Sequence, residues 1–255
     1  MVDPLQQFRL DGRVALVTGA SSGLGVRFAR VLDAVGARVV VTARRAERLE
    51  ALLGDLSAGA IAIPADIADA TDRERLVREV LERAGRIDVL VNNAGAAYVH
   101  GIEQETLDEF EQVMNLNATA VWHLIKLCVP HMIERGSGSI VNVASMLGHV
   151  GSAPIKQANY CASKGAVVNL TRELALQLGR KGIRVNALCP GYFPSEMTAP
   201  MIGDEGSERY IATYGGLPRM GAEHELDGAL LLLAGDAGSY ITGHSLLVDG
   251  GFTAR

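Results

Sequence analysis

Short apolar runs alternate with helical patterns along almost the whole chain, and this alternation constrains the fold more than any other feature. Each run is short and mostly apolar, which is typical of a strand that is buried on both faces. The predicted strands lie at 13–19, 37–43, 60–66, 87–95, 139–145, 183–191 and 245–251.

Helical patterns fill most of the intervals, at about 28–36, 46–53, 71–84, 107–134, 158–179 and 223–234. Thr71-Asp-Arg-Glu74 matches a capping box that opens the third helix. The fourth should bend near Pro130, because proline lacks an N–H donor. Strands joined by helical crossovers form a parallel sheet. The sequence therefore predicts an α/β fold, a doubly wound Rossmann-type parallel sheet with helices on both faces.

The chain of 255 residues is predicted to be one domain, because no internal repeat, low-complexity run or linker divides it. Its net charge of −5 argues against a nucleic-acid-binding surface. No apolar stretch is long enough to span a bilayer, and the N-terminus has no apolar run. The three cysteines form no CxxC pair and the six histidines no HxxxH pair. We therefore expect a cytoplasmic protein without a membrane anchor or a metal site.

A glycine-rich turn follows the first predicted strand. It reads Thr18-Gly19-Ala20-Ser21-Ser22-Gly23-Leu24-Gly25 and leads directly into a helix. Glycines let a backbone turn tightly and approach phosphates closely, and a helix N-terminus offers free N–H groups and a positive dipole end. Three glycines with this spacing are weak evidence by themselves. At the first strand–helix turn of a chain in which strands and helices alternate, they indicate a dinucleotide-binding site.

Further motifs follow in order along the chain: Asn92-Asn93-Ala94-Gly95, Ser145, Tyr160-x3-Lys164, Pro190-Gly191 and Val248–Gly251. With the glycine turn, they make the chain resemble the short-chain dehydrogenase/reductase family over residues 10–252, in its single-domain form. The resemblance implies an enzyme that interconverts a carbonyl and a secondary alcohol with a nicotinamide cofactor.

The choice between NAD and NADP depends on the end of the second strand. An acidic residue there would bind the ribose hydroxyls of NAD, but the sequence has Arg44 and Arg45. Either arginine suits the 2′-phosphate of NADP, and a basic residue at position 44 usually marks NADP preference in the family. Alternatively, both arginines pair with Glu47 or Glu50. We expect NADP(H), with NAD(H) possible.

The resemblance also implies the other cofactor contacts. Asp66 and Ile67 would hold the adenine, unless Asp66 only caps a helix. Ser195 stands where the family usually has a threonine that binds the nicotinamide carboxamide. The remaining contacts implied by the resemblance are Asn92, Ala94, Gly95, Pro190, Gly191 and Phe193.

Tyr160 and Lys164 are four residues apart, so they share one face of a helix. A free tyrosine has a pKa near 10, and a nearby ammonium group and an oxidised nicotinamide would favour tyrosinate. The resemblance makes Tyr160 the general acid/base, Lys164 its partner and a ribose ligand, and Ser145 the donor to the carbonyl oxygen. It makes Asn117 the anchor of a proton-relay water, with Asn115 as a competitor.

Two segments are expected to shape the substrate site. Ser145 and Tyr160 are 15 residues apart, more than is usual in the family, so the intervening loop should be wider. Its His149 could reach substrate or simply be exposed. The segment 192–222 is rich in Gly, Met and Tyr, which suggests either a lid or a surface excursion. If the segment is a lid, its apolar and aromatic side chains predict a bulky, largely apolar carbonyl substrate.

Two alternatives remain open. A 3-oxoacyl-thioester (acyl-carrier-protein) reductase would need a basic entrance, for which Arg135 and Arg172 are candidates. A non-catalytic dinucleotide sensor usually lacks the tyrosine or the lysine that this chain retains. The resemblance also implies a homotetramer, with apolar contacts from Val121, Leu124, Val168 and Leu174, unless some of these residues face only the core of the monomer.

Overall fold

The computed structural model describes residues 3–254, which contain a parallel sheet of seven strands. The strand order is β3-β2-β1-β4-β5-β6-β7, so the order reverses between β1 and β4. The strands are β1 Val14–Thr18, β2 Arg38–Thr42, β3 Ile61–Ala62, β4 Val89–Asn92, β5 Gly138–Val143, β6 Ile183–Pro190 and β7 Ser245–Val248.

Helices cover both faces of the sheet, as predicted. Residues of α3, α5 and α6 form one apolar cluster against the sheet, and residues of α1, α2 and α8 form another. None of the helices in residues 3–254 is both long and apolar enough to cross a membrane. The helices are α1 Gly23–Ala34, α2 Ala46–Leu53, α3 Ala70–Ala84, α4 Leu107–Met114, α5 Ala120–Arg135, α6 Ala158–Leu178, α7 Glu205–Tyr214 and α8 Asp227–Ala234.

This strand order determines where a ligand binds. β1 pairs with β2 on one side and with β4 on the other, so the connections that follow β1 and β4 leave the sheet in opposite directions. A crevice opens at such a switch point, beyond the carboxyl ends of the strands. The glycine turn after β1 and the Asn-Asn-Ala-Gly segment after β4 both lie at this edge.

The long helix predicted at 107–134 is interrupted, but not near Pro130. A π-helical turn at Asn115–Thr119 separates α4 from α5, whereas Pro130 lies inside α5 without ending it. The cause is a buried contact that apolar periodicity cannot reveal, because the Asn117 side chain bonds to groups on two other segments. π-Helical turns are rare and frequently lie at functional sites.

Other predicted boundaries were also wrong. The Thr71–Glu74 capping box does not form, because the N-cap of α3 lies two residues earlier, at Asp69, whose side chain accepts from the Asp72 N–H at 2.8 Å. The predicted strand at 60–66 shrinks to Ile61–Ala62, and the predicted helix at 223–234 begins as a 3₁₀ turn. The segment 192–222 contains α7, so it is partly helical.

Candidate active site

A cavity of about 430 Å³ runs along the carboxyl edge of the sheet, from the glycine turn to Tyr160. It gathers nearly all of the predicted site residues from segments far apart in the sequence. Those that line it are Gly19, Ser21, Ser22, Gly23, Leu24, Gly25, Arg44, Arg45, Asp66, Ile67, Ala94, Gly95, Ser145, Tyr160, Lys164, Pro190, Gly191, Phe193 and Ser195.

The glycine turn fits a pyrophosphate group. Gly19 and Gly23 have positive φ angles of 67° and 51°, a conformation that side chains disfavour. A Cβ on Gly25 would lie 2.2 Å from the carbonyl oxygen of Gly19, so only glycine fits there. Ser22 is the N-cap of α1 but makes no side-chain capping bond. The first N–H groups of α1 are therefore left to bind an anion at the cavity wall.

Asn93 keeps this turn in shape. Its amide nitrogen donates to the carbonyl oxygen of Thr18 at 2.9 Å and to that of Gly19 at 3.3 Å. Its backbone N–H donates to the Thr18 hydroxyl. Asn93 was not among the predicted site residues, although the repeated Asn after β4 was a signal for it.

Asn92 is the predicted cofactor residue that the structure turns away from the cavity. Its side chain is buried within the sheet and donates to the Asn142 amide oxygen on β5 at 2.9 Å. Strand residues alternate sides, so Asn92 and Asn93 face different surroundings. Asn93 lines the cavity in its place.

One end of the cavity carries a cluster of cationic and hydroxyl groups. The Arg45 guanidinium donates to the Ser21 hydroxyl at 2.9 Å and to the Ser22 hydroxyl at 3.0 Å. Arg45 also pairs with Glu196, rather than with Glu47 or Glu50. Arg44 is exposed at the rim. Arginine forks and hydroxyl groups are suitable donors for a phosphate.

Asp66 lies next along the cavity wall, where the adenine was expected. One of its carboxylate oxygens accepts from the Ala68 N–H at 2.9 Å, which forms a tight turn. Asp69 caps α3, so the alternative of Asp66 as the helix cap is wrong. The adjacent Ile67 is buried and adds an apolar surface to the same wall.

Tyr160, Lys164 and Ser145 meet at the other end of the cavity. The Lys164 ammonium donates to the Val143 carbonyl at 2.7 Å and lies 5.5 Å from the centre of the Tyr160 ring. The Ser145 hydroxyl accepts from the Leu147 N–H at 3.1 Å and lines the cavity beside Tyr160. All three residues line the cavity, so both hydroxyls are available there as donors to a carbonyl oxygen.

Burial governs the protonation of this group. It raises the pKa of Tyr160 to about 12, although the nearby Ser145 side chain acts in the opposite direction. Burial also lowers the pKa of Lys164 to about 8. At neutral pH the phenol therefore carries its proton, as a proton donor must, while most of the lysine remains charged.

Asn117 lies behind the cavity, in the π-helical turn. Its amide oxygen accepts from the Ala96 N–H at 2.9 Å, and its amide nitrogen donates to the Ala96 carbonyl and the Ser163 hydroxyl. A Cβ on Gly95 would lie 3.2 Å from the Asn117 amide oxygen and 3.5 Å from the Lys164 nitrogen, so the three residues converge. The competitor Asn115 instead bonds to the Ala68 carbonyl.

An apolar wall adjoins Tyr160. Met146, Leu147 and Phe252 form a small buried cluster against which Tyr160, Tyr192 and Tyr210 pack. The rings of Tyr192 and Tyr210 are 6.0 Å apart and meet edge to face. The Tyr210 hydroxyl donates to the Ala153 carbonyl at 3.3 Å, so α7 of the 192–222 segment contacts the loop after β5.

That loop is folded over α6 and is not a free excursion. A Cβ on Gly148 would lie 2.8 Å from the Lys164 carbonyl oxygen, which shows how closely the loop packs on the helix. His149 is exposed, as the alternative predicted, and its Nε2 lies 3.7 Å from the Cys189 sulfur. Burial lowers the pKa of His149.

Several lining residues were not predicted. Glu196, Met197 and Thr198 follow Ser195 and line the same cavity. The Ser195 hydroxyl is 3.0 Å from that of Thr198 and accepts from the Thr198 N–H at 3.2 Å. Within residues 3–254, no three His, Cys, Asp or Glu side chains are arranged to hold a metal ion.

Comparisons with known proteins agree with this geometry. The family described as short chain dehydrogenase matches residues 13–206. Gluconate 5-dehydrogenase of Gluconobacter oxydans (strain 621H) is 38% identical over 96% of each chain. Galactitol 2-dehydrogenase (L-tagatose-forming) of Cereibacter sphaeroides is 40% identical, over 96% of this chain and 97% of the other.

The fold comparison agrees with the sequence comparison. A solved gluconate 5-dehydrogenase from Burkholderia cenocepacia J2315, in complex with NADP and tartrate, superposes with a TM-score of 0.91 at 34% identity. The match covers 99% of this chain and all of the other. The chain belongs to the short-chain dehydrogenase family, and it is an NAD(P)-dependent oxidoreductase of the alcohol/carbonyl pair.

Proposed function

We propose that this enzyme is an NADP(H)-preferring reductase of uncharged, largely apolar ketones or aldehydes, acting reversibly on the corresponding alcohols. One observation carries the proposal: a single cavity has the Arg44, Arg45, Ser21 and Ser22 groups at one end and the Ser145–Tyr160–Lys164 group at the other. The glycine turn lies between them, where a dinucleotide would place its pyrophosphate.

In the reducing direction, the residues around Tyr160 handle the oxygen and its proton. The Ser145 hydroxyl donates a hydrogen bond to the substrate carbonyl oxygen, and the Tyr160 phenol transfers its proton to that oxygen as the alkoxide forms. Bound NADPH supplies the hydride. In the reverse direction the Lys164 ammonium favours the tyrosinate that accepts the alcohol proton. Lys164 would also hold the nicotinamide ribose, and Asn117 would anchor the relay that returns the proton.

The cofactor preference is supported by the cationic end of the cavity. Residues 43–45, which connect β2 to α2, include no carboxylate, and the last two of them are arginines. A ribose hydroxyl of NAD needs an acceptor, whereas the 2′-phosphate of NADP needs donors. The Burkholderia relative with bound NADP supports the same assignment.

The substrate class is supported by what surrounds Tyr160. Among the described residues that line the cavity, the basic side chains are Lys164 beside Tyr160 and the two arginines at the opposite end. A sugar acid would need a further cation for its carboxylate. Leu116, Val143, Phe193 and Met197 instead add apolar side chains to the lining of the same cavity. On this basis we assign an apolar carbonyl, in contrast to the gluconate and galactitol in the relatives' names.

The acyl-carrier-protein reductase alternative loses support from one of its two candidate residues. Arg135 bonds to Asp88 and to the Ile87 carbonyl beside the amino end of β4, at the edge of the sheet opposite the cavity. It therefore cannot form a basic entrance to Tyr160. The sensor alternative loses support because the relatives are named as dehydrogenases and because the chain retains both Tyr160 and Lys164.

The test is a steady-state assay of cofactor oxidation with a panel of carbonyl substrates. The panel contains an aryl alkyl ketone, a cyclic ketone, a keto sugar acid and a 3-oxoacyl thioester, each with NADPH and with NADH. We expect the largest kcat/KM for an uncharged apolar ketone with NADPH. A higher value for the keto sugar acid or the thioester would reassign the substrate class.

We also propose a single catalytic domain with a lid at 192–222, a cytoplasmic location and a homotetramer. Val121, Leu124 and Val168, expected at the subunit contacts, belong to the buried core instead. The large apolar side chains on these helices that face outward are Trp122 and Ile133 on α5, 44% and 38% exposed, and Leu176 on α6, 81% exposed. A molar mass measured by light scattering near four times 27.0 kDa would support the tetramer.

A further inference from the structure

Glu196 is the residue at the cationic end whose role remained open. Its carboxylate accepts from the two terminal nitrogens of Arg45 at 2.9 and 3.0 Å, from Arg48 at 2.5 Å and from the Ser22 hydroxyl at 2.9 Å. These donors come from the start of α1 and from the beginning of α2, whereas Glu196 follows β6. One carboxylate therefore joins three segments of the fold.

The donors around Glu196 are those that a phosphate would use. Arginine forks bind carboxylates and phosphates in the same bidentate manner, so one set of N–H groups cannot serve both anions at once. The two oxygens of Glu196 already take both terminal nitrogens of Arg45. A 2′-phosphate that bound to these nitrogens would therefore have to displace the Glu196 oxygens.

The carboxylate is charged at every pH at which the enzyme would work. Its hydrogen bonds with Arg45, Arg48 and Ser22 lower the pKa of Glu196 to about 2. The ion pairs are partly exposed, with 37% of the Arg45 side chain and 53% of the Glu196 side chain accessible. Such pairs are weak enough for a doubly charged phosphate to displace them.

We propose that Glu196 is a cofactor-specificity residue, which competes with the 2′-phosphate of NADP(H) for Arg45, Arg48 and Ser22 and so reduces the preference for NADP(H) over NAD(H). This inference rests on the proposed function. A cofactor with a 2′-hydroxyl brings no charge to this place, so it leaves the Glu196 contacts intact. The cost of displacing Glu196 therefore falls on NADP(H) alone.

The location of Glu196 in the chain supports this role. It directly follows Ser195, whose Cβ lies 3.2 Å from where a Cβ on Gly23 would be. The segment that carries Glu196 is thus packed on the glycine turn. If a phosphate displaced the Glu196 carboxylate from its arginine partners, this segment would lose those contacts beside the turn where the pyrophosphate would bind.

The experiment compares two nucleotides that differ only at the 2′ position, adenosine 2′,5′-bisphosphate and 5′-AMP. Their dissociation constants are measured by calorimetry with the full-length wild-type protein and with Glu196→Gln. We expect Glu196→Gln to bind the bisphosphate about threefold to tenfold more tightly. Its affinity for 5′-AMP should change less than about 1.5-fold.

Glu47→Gln is the matched control, because Glu47 raises the pKa of Arg45 through charge alone, whereas Glu196 also hydrogen-bonds to it. If Glu47→Gln raises the affinity for the bisphosphate as much as Glu196→Gln does, the loss of any nearby negative charge explains the effect. The proposal is then wrong. The proposal is also wrong if Glu196→Gln changes the affinities for both nucleotides equally, or if it lowers the affinity for the bisphosphate. If the wild type binds neither nucleotide, the proposed function fails as well.

Glu196→Asp provides a second variant that keeps the charge. The shorter side chain reaches less far toward Arg45, so it should release part of the competition and give an affinity for the bisphosphate between those of the wild type and Glu196→Gln. If Glu196→Asp binds the bisphosphate more weakly than the wild type does, Glu196 positions the arginines for the phosphate. That result would overturn the proposal that Glu196 competes with the phosphate.

Discussion

The two ends of the cavity are built in different ways. At the proton-transfer end, Ser145 and Lys164 are only 6% and 4% exposed, and their polar atoms bond to neighbouring groups of the buried core. At the cationic end, Arg45, Arg48 and Glu196 are held by partly exposed ion pairs. Proton transfer needs fixed geometry in a dry site, whereas cofactor selection depends on charges that can exchange partners. The two functions should therefore be separable by mutation.

The largest expected effect is at the buried end. Tyr160→Phe keeps the packed ring but removes the proton donor, so kcat should fall by about 10²–10⁴-fold. Tyr240→Phe, on a fully exposed tyrosine near the amino ends of β5 and β6, is the matched control and should keep wild-type activity. Retention of more than about a tenth of the wild-type kcat in Tyr160→Phe would remove this residue from the mechanism.

A smaller effect concerns the buried charge of Lys164. Because its pKa is lowered to about 8 from 10.5, the folded state holds this proton less tightly than the unfolded state does. The resulting cost to stability is fully present below pH 8 and declines as the pH rises toward 10.5.

The free energy of unfolding measures this directly. Relative to Lys164→Met, the wild type should gain about 1–2 kcal/mol between pH 7 and pH 9.5. Tyr160 is present in both proteins, so its own titration largely cancels in the difference. Denaturant unfolding at several pH values gives the result, and a constant difference across this range would contradict the lowered pKa.

The next effect is at the exposed end. Arg44→Asp removes a donor for the 2′-phosphate and adds a carboxylate that repels it while accepting ribose hydroxyls. The ratio of kcat/KM for NADPH to that for NADH should fall by about tenfold or more, with kcat for NADH retained. Arg78→Asp, the same charge change on α3 outside the cavity lining, should leave this ratio unchanged. A wild-type enzyme that already prefers NADH would contradict the NADP assignment.

The smallest effect is a change in mobility. Residues 195–215 should exchange their amide hydrogens more slowly when NADPH and a ketone are bound, because closure over the cavity protects the backbone. Peptides from α3 serve as the internal reference. Equal exchange in both states would show that this segment is not a lid.

The sequence alone was sufficient to predict those features that depend on residues near one another in the chain. The glycine turn, the Tyr160–Lys164 spacing and the alternation of strands and helices each depend on residues close together in the chain. Glu196 was missed because its partner Arg45 is 151 residues away, and only the fold joins them. The π-helical turn and the inward orientation of Asn92 were missed for the same reason, since contacts with Ser163 and Asn142 determine them.

The most direct test of the separation between the two ends is a titration of NADPH and NADH into the wild type, Tyr160→Phe and Arg44→Asp. Tyr160→Phe should bind both cofactors with the wild-type dissociation constants, although it does not turn over. Arg44→Asp should lose affinity for NADPH about tenfold while it keeps that for NADH. If Tyr160→Phe instead changed the ratio of the two constants as much as Arg44→Asp does, the two ends would not act separately.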